Sequence, residues 1–185
     1  MQTRKKEVKM LKKLRGFTLI ELLIVVAIIG ILAALLIPNA ITALQKAKQK
    51  GTMKDMTSIS TACADYITDH GTAPTNAEDL GTGDTIISEL SPFYLKVLPI
   101  KDQWNFPYYV YTGTACNILG ITDASQDDFL VVSYGRDGAA DGWNFDGSNP
   151  EGGLFTVSNM EDFKKDLVMY DGSWIRAPRA GATGS

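Results

Sequence analysis

KKLRGFTLIELLIVVAIIGILAALLIP, Lys12 to Pro38, decides how the rest of the chain is organised. Positive charge stops at Gly16, a strongly apolar run begins at Phe17, and an acid, Glu21, stands inside that run. Phe17 to Ile37 is 21 residues. At ~1.5 Å per residue, a helix of that length covers about 30 Å, the hydrocarbon thickness of a bilayer. A cleaved secretory signal has a shorter apolar region and a small-x-small cleavage site beyond it. The stretch therefore reads as a membrane span. Positive charge precedes it and none follows until Lys46. By the positive-inside rule, this holds the amino terminus in the cytoplasm and sends the remainder outward.

The composition divides at the same place. The first 16 residues hold seven basic side chains against one acid, Glu7, which leaves 11 basic and 20 acidic residues for the other 169. A surface of that sign repels nucleic acid and attracts divalent cations.

Glu21 is what a plain anchor does not explain. An ionised carboxylate within a span costs at least ~2.5 kcal/mol and usually marks pairing or function. A cut after Gly16 would liberate the amine of Phe17, one helical turn away or within reach on a neighbouring copy. The alternative is a Glu21 close enough to the interface to snorkel without purpose.

RGFTLIELLIVVAIIGILAALLIP resembles the amino-terminal signature of type IV pilins and type II secretion pseudopilins: a basic leader, glycine, an aromatic residue, and glutamate fifth in the mature chain. The resemblance implies that a membrane-embedded prepilin peptidase cuts between Gly16 and Phe17 and methylates the Phe17 amine. It also implies that Glu21 pairs with a neighbour's terminus as subunits assemble into a filament. Pro38 falls where that family often carries a helix-kinking proline. Gly30, Ala33 and Ala34 are small enough to permit close helix approach, or are ordinary span residues.

Beyond Pro38 the helix continues in amphipathic form. Met56, Ile59, Cys63, Tyr66 and Ile67 recur at steps of three and four, as one face laid on a core requires. His70 and Gly71 mark its end, which gives the lone histidine a helix-dipole or solvent role. Thr75 to Glu78 reads as a capping box opening a short helix through Leu80. Tyr108–Tyr111, Phe129–Ser133, Leu167–Tyr170 and Trp174–Ile175 read as strands. The expected fold is α+β and pilin-like: a long amino-terminal helix packed on a small antiparallel sheet. The expected divisions are a leader at 1–16, a span and filament core at 17–38, an amphipathic half-helix at 39–71, a globular α+β domain at 72–175 and a flexible tail at 176–185.

The body resembles the major pseudopilin of type II secretion. Asp102, Trp104, Pro107 and Tyr108 match a D-x-W-x-x-P-Y motif, and Ser133, Gly135, Asp137 and Gly138 match S-x-G-x-D-G. Asn105 and Phe106 depart from the usual Gly-Asn turn, and Thr114 to Asp128 looks like an insertion. The resemblance implies a periplasmic domain on an inner-membrane anchor. It also implies a homopolymer built with minor pseudopilins and an inner-membrane assembly platform to drive export of folded proteins. An adhesive or motility pilus subunit is the alternative.

DGAADGWNFDG, Asp137 to Gly147, holds three Asp-Gly pairs in 11 residues. These offer hard oxygen ligands on sharply bending backbone and suit calcium, or are simply turns. It is not an EF-hand, because Ala139 and Ser148 stand where ligands are required. The resemblance implies a structural Ca2+ at Asp137 and Asp166, with backbone carbonyls near Val132; Asp141 and Asp146 are local alternatives. Cys63 and Cys116 are either bridged or buried free thiols. One helix-end histidine and scattered acids form no recognisable catalytic constellation, so an enzyme is not expected. Trp104, Trp143 and Trp174 read as core rather than a binding patch.

Overall fold

The computed structural model describes residues 16–75 and 78–179. Most of the expected leader therefore lies outside the described residues. The chain divides between Ile41 and Thr42 into two compact units.

Helix α1, Leu19–His70, runs on through Pro38. It starts where Thr18 and Glu21 cap each other. The Thr18 N–H and hydroxyl donate to Glu21 Oε2 at 2.9 and 2.7 Å, and the Glu21 N–H donates to Thr18 Oγ1 at 3.3 Å. This reciprocal pairing satisfies main-chain donors that a helix start otherwise leaves open. The helix ends at Gly71, whose φ of 71° suits glycine and whose N–H donates to Ile67 O at 2.7 Å. The amino-terminal stretch is long and apolar enough to cross a membrane, and its large side chains from Leu19 to Ile37 are exposed.

In the second unit the expected face of α1 is the buried one. Met56, Ile59 and Cys63 are fully buried, and Tyr66 and Ile67 pack against the same core. The sheet has five strands in the order β1-β2-β4-β5-β3. These are β1 Tyr109–Thr112, β2 Phe129–Ser133, β3 Leu154–Phe155, β4 Leu167–Tyr170 and β5 Ser173–Pro178. Alternate residues serve opposite faces, as a pleated strand requires. Val110, Phe129, Val131, Leu167 and Met169 meet the α1 core, whereas Leu130, Val132 and Val168 join a second cluster. Both faces of β2 are covered, which explains why FLVVS is buried throughout.

The covering of that second face was not expected. Cys116, Ile118, Leu119 and Ile121 from the insertion pack with Trp143 and Phe145 from the acidic loop. The Phe145 N–H donates to Leu119 O at 2.6 Å and fastens the two loops together.

Three expectations need correction. Thr75 does not open a helix: its N–H and hydroxyl donate to Glu89 at 2.6 and 2.7 Å, and the short helix α2 lies later, at Thr85–Leu90. Asn76 and Ala77, inside that supposed capping box, lie outside the described residues. The sheet is not wholly antiparallel, because β3 pairs parallel with β5 at Leu154–Ala177 and Phe155–Pro178. The tail does not begin at Arg176, since Arg176, Ala177 and Pro178 belong to β5 and the first two are buried. A strand partner supplied by residues 154–155 orders a composition that otherwise reads as disordered.

Candidate functional site

Gly16 and Phe17 precede the first turn of α1. Phe17 is 84% exposed, and a Cβ added at Gly16 would meet nothing within 4 Å. Among the described residues no close approach demands glycine there. The Glu21 side chain is exposed and bonded only to Thr18 among the described contacts.

The two body motifs interlock. Asp102 Oδ1 accepts from the Trp104 N–H at 2.9 Å and the Phe106 N–H at 3.0 Å, while Oδ2 accepts from the Ser133 hydroxyl at 2.9 Å. Ser133 Oγ in turn accepts from the Gly135 N–H at 3.3 Å. One buried carboxylate thus folds its own turn and ties it to the end of β2. Burial lifts the Asp102 carboxyl above its ordinary value, against the opposing pull of these donors. Asn105 replaces a glycine by tolerating φ 76°, which asparagine does better than most residues.

The same turn grips α1. The Trp104 indole N–H donates to Gln45 Oε1 at 2.7 Å, and Gln103 reaches Thr52 and Asp55 at 3.2 and 2.9 Å. In the second motif Gly135 has φ 67°, and a Cβ there would lie 2.9 Å from the Lys165 and Phe163 carbonyl oxygens.

The candidate cation ligands have different hydrogen-bond partners. Asp137 takes the Ala139 N–H at 3.3 Å, and Asp146 takes the Ser148 N–H and hydroxyl at 2.9 and 2.6 Å, each within its own turn. Val132 lies inside β2, between Tyr109 and Val168. Asp141 and Asp166 do come together. The Asp141 N–H donates to Asp166 Oδ2 at 3.2 Å and the Asp166 N–H to Asp141 Oδ2 at 3.3 Å.

Arg176 Nη2 donates to the same Asp141 Oδ2. Burial raises the Asp141 carboxyl, but the Trp143 N–H and the Arg176 charge outweigh it and hold the group below its ordinary value. Asp166, more deeply buried and beside Asp141, is pushed up to about 7. Calcium takes six to eight oxygens, roughly. Here two carboxylates face a guanidinium, and among the described residues no group of three or more His, Cys, Asp or Glu is placed to hold a metal. Arg176 stands in a stretch whose Ala, Gly and Pro content resembles a tail, which hides its role from the sequence.

Cys63 and Cys116 are both buried and free, so the bridged alternative is not realised. Cys63 joins the cluster under α1 and Cys116 the one on the other side of the sheet. Burial pushes both thiols up to about 12. Alkylation of the native chain in detergent at neutral pH should therefore be slow, and unfolding by denaturant should expose both thiols together. Rapid labelling of either one in the native chain would contradict this burial.

Residues 11–37 match the family described as Prokaryotic N-terminal methylation motif. Several curated relatives carry the name Type II secretion system core protein G. That of Vibrio cholerae serotype O1 is 28% identical over 84% of this chain and 99% of its own length. That of Pseudomonas aeruginosa is 33% identical over 69% and 87%. That of Klebsiella pneumoniae is 33% identical over 80% and 98%. No solved structure matches the chain. With a third of the aligned residues shared across nearly the whole of such a relative, on top of the methylation motif, the chain belongs to the family of type II secretion system core protein G, the major pseudopilins.

Proposed function

We propose that the chain is the repeating subunit of a pilus-like filament of a type II secretion system, drawn from the inner membrane into the periplasm after its leader is removed. The observation that carries this reading is the start of α1. The apolar part of the helix, with its large side chains exposed from Leu19 to Ile37, carries one acid in its first turn and follows a glycine that no close approach among the described residues requires. Such a surface needs lipid or other helices around it. Glu21 needs a cation, and the amine of a processed Phe17 on a neighbouring subunit supplies one.

In this reading Gly16 is recognised by a prepilin peptidase, which cleaves before Phe17 and methylates it. The mature subunit then polymerises with copies of itself, with minor pseudopilins and an inner-membrane assembly platform as partners. The role is structural. The names of the relatives favour the secretion filament over an adhesive or motility pilus.

Intact-mass and peptide mass spectrometry of the chain from its native host tests this. The expected terminus is Phe17 carrying one methyl group. An unprocessed chain that retains residues 1–16 as the filament-forming species would overturn the reading.

A further inference from the structure

We propose that Arg176 supplies, from within the chain, the positive charge that a bound metal ion would bring to the acidic loop. The inference does not depend on the filament role. Arg176 projects from β5, and its side chain is 10% exposed. It reaches Asp141, which sits in the loop between β2 and β3; Asp141 and Asp166, the residue just before β4, each donate a main-chain N–H to the other's carboxylate. One guanidinium therefore links the long loop to two strands of the sheet. A calcium ion shared by the two acids would make the same connection.

Three features favour the arginine over a metal as occupant. Three of the four carboxylate oxygens already have partners. Asp141 Oδ1 accepts from the Trp143 N–H at 2.9 Å, Asp141 Oδ2 serves Arg176 and the Asp166 N–H, and Asp166 Oδ2 serves the Asp141 N–H. Of these oxygens only Asp166 Oδ1 is buried without a partner, as is Nε of Arg176 on the guanidinium side, and a single free carboxylate oxygen is far short of a calcium shell.

The guanidinium also has aromatic company. Its central carbon lies 5.0 Å from the Trp143 ring centre and 5.8 Å from that of Phe155. A planar, weakly hydrated cation gains from such faces, whereas a compact hydrated ion does not.

The backbone accommodates this packing as well. A Cβ at Gly153 would run into the Ile175 carbonyl and lie 2.7 Å from Trp143 Cζ2. Glycine at that position lets Trp143 settle beside β5, next to Arg176. The pocket is built around a flat organic cation.

The test uses the full chain in detergent, with thermal unfolding followed by near-ultraviolet circular dichroism in chelator and in millimolar calcium. The wild type should melt at the same temperature in both, whereas calcium at a hundredfold excess over its dissociation constant would raise the midpoint by roughly 8 °C. Arg176→Gln should lower the midpoint by about 10 °C in chelator, because it leaves the Asp141 carboxylate and the buried Asp166 beside it without a counter-charge. A saturable rise in the wild-type midpoint with calcium would overturn the proposal, as would Arg176→Gln melting like the wild type. Should that variant fail to fold, the wild-type calcium comparison still decides the matter.

Discussion

Glu21→Ala chains are expected to be cut and methylated like the wild type and yet to be almost absent from filaments. The substitution removes the only acid in the span and, under the proposed pairing, leaves each neighbour's amine without a partner in an apolar surrounding. Breaking such a pair costs about 3 kcal/mol or more, which is above a hundredfold in the association constant of each added subunit. The alanine also removes the helix cap made with Thr18. Thr18→Ala separates the two effects: it weakens the cap by about 1 kcal/mol but keeps the charge, and should assemble far better than Glu21→Ala. Sheared-filament yield measures assembly, and the mass of the mature terminus measures processing. Filaments of Glu21→Ala at the wild-type level would remove the pairing role.

The second large effect is expected at Asp102. Asp102→Ala leaves the Trp104 and Phe106 N–H groups and the Ser133 hydroxyl without their acceptor in a site only 5% exposed. The expected loss is about 3 kcal/mol, or roughly 10 °C in the thermal midpoint of the full chain in detergent. Asp102→Asn keeps one oxygen for the two N–H groups and should recover most of it.

The pH dependence has a definite sign. Burial raises the Asp102 carboxyl in the folded state. The stability that its neutral form carries is therefore fully present below the ordinary carboxylate range and is lost as pH rises through the elevated folded value. Asparagine cannot ionise, so Asp102→Asn should flatten that part of the profile. An Asp102→Ala midpoint within the wild-type error would show that the knot between the two motifs carries no weight.

Local chemistry made part of this fold readable before any coordinates. Phe129–Ser133 and Leu167–Tyr170 are short β-branched and apolar runs between turn residues, and both are strands over those same residues. The apolar spacing of Met56, Ile59 and Cys63 located the buried face of α1. T-x-x-E occurs twice, and only its context separates the two cases. Thr18–Glu21 stands before a long helical run and caps it, whereas Thr75 is drawn to Glu89, 14 residues away.

What escaped the sequence was held by partners distant in the chain. Strand β3 is two residues long and exists because β5 lies beside it. Ile118, Leu119 and Ile121 carry no helical or strand period, so only their apolar character could have suggested a second packed face. The acidic loop drew attention for its aspartates. The signals that explain its place are Trp143 and Phe145 in its middle and an arginine 35 residues beyond Asp141.

The bare flank of α1 has an energetic consequence for any traffic between bilayer and polymer. Its isoleucines, leucines and valines from Leu19 to Ile37 are at least half exposed. Acyl chains and neighbouring helices shield hydrocarbon about equally well, so exchanging one for the other is close to isoenergetic. A reservoir of subunits in lipid can then feed a growing polymer, or take units back, with little gradient of its own. Direction has to come from a rectifying polar latch or from outside work.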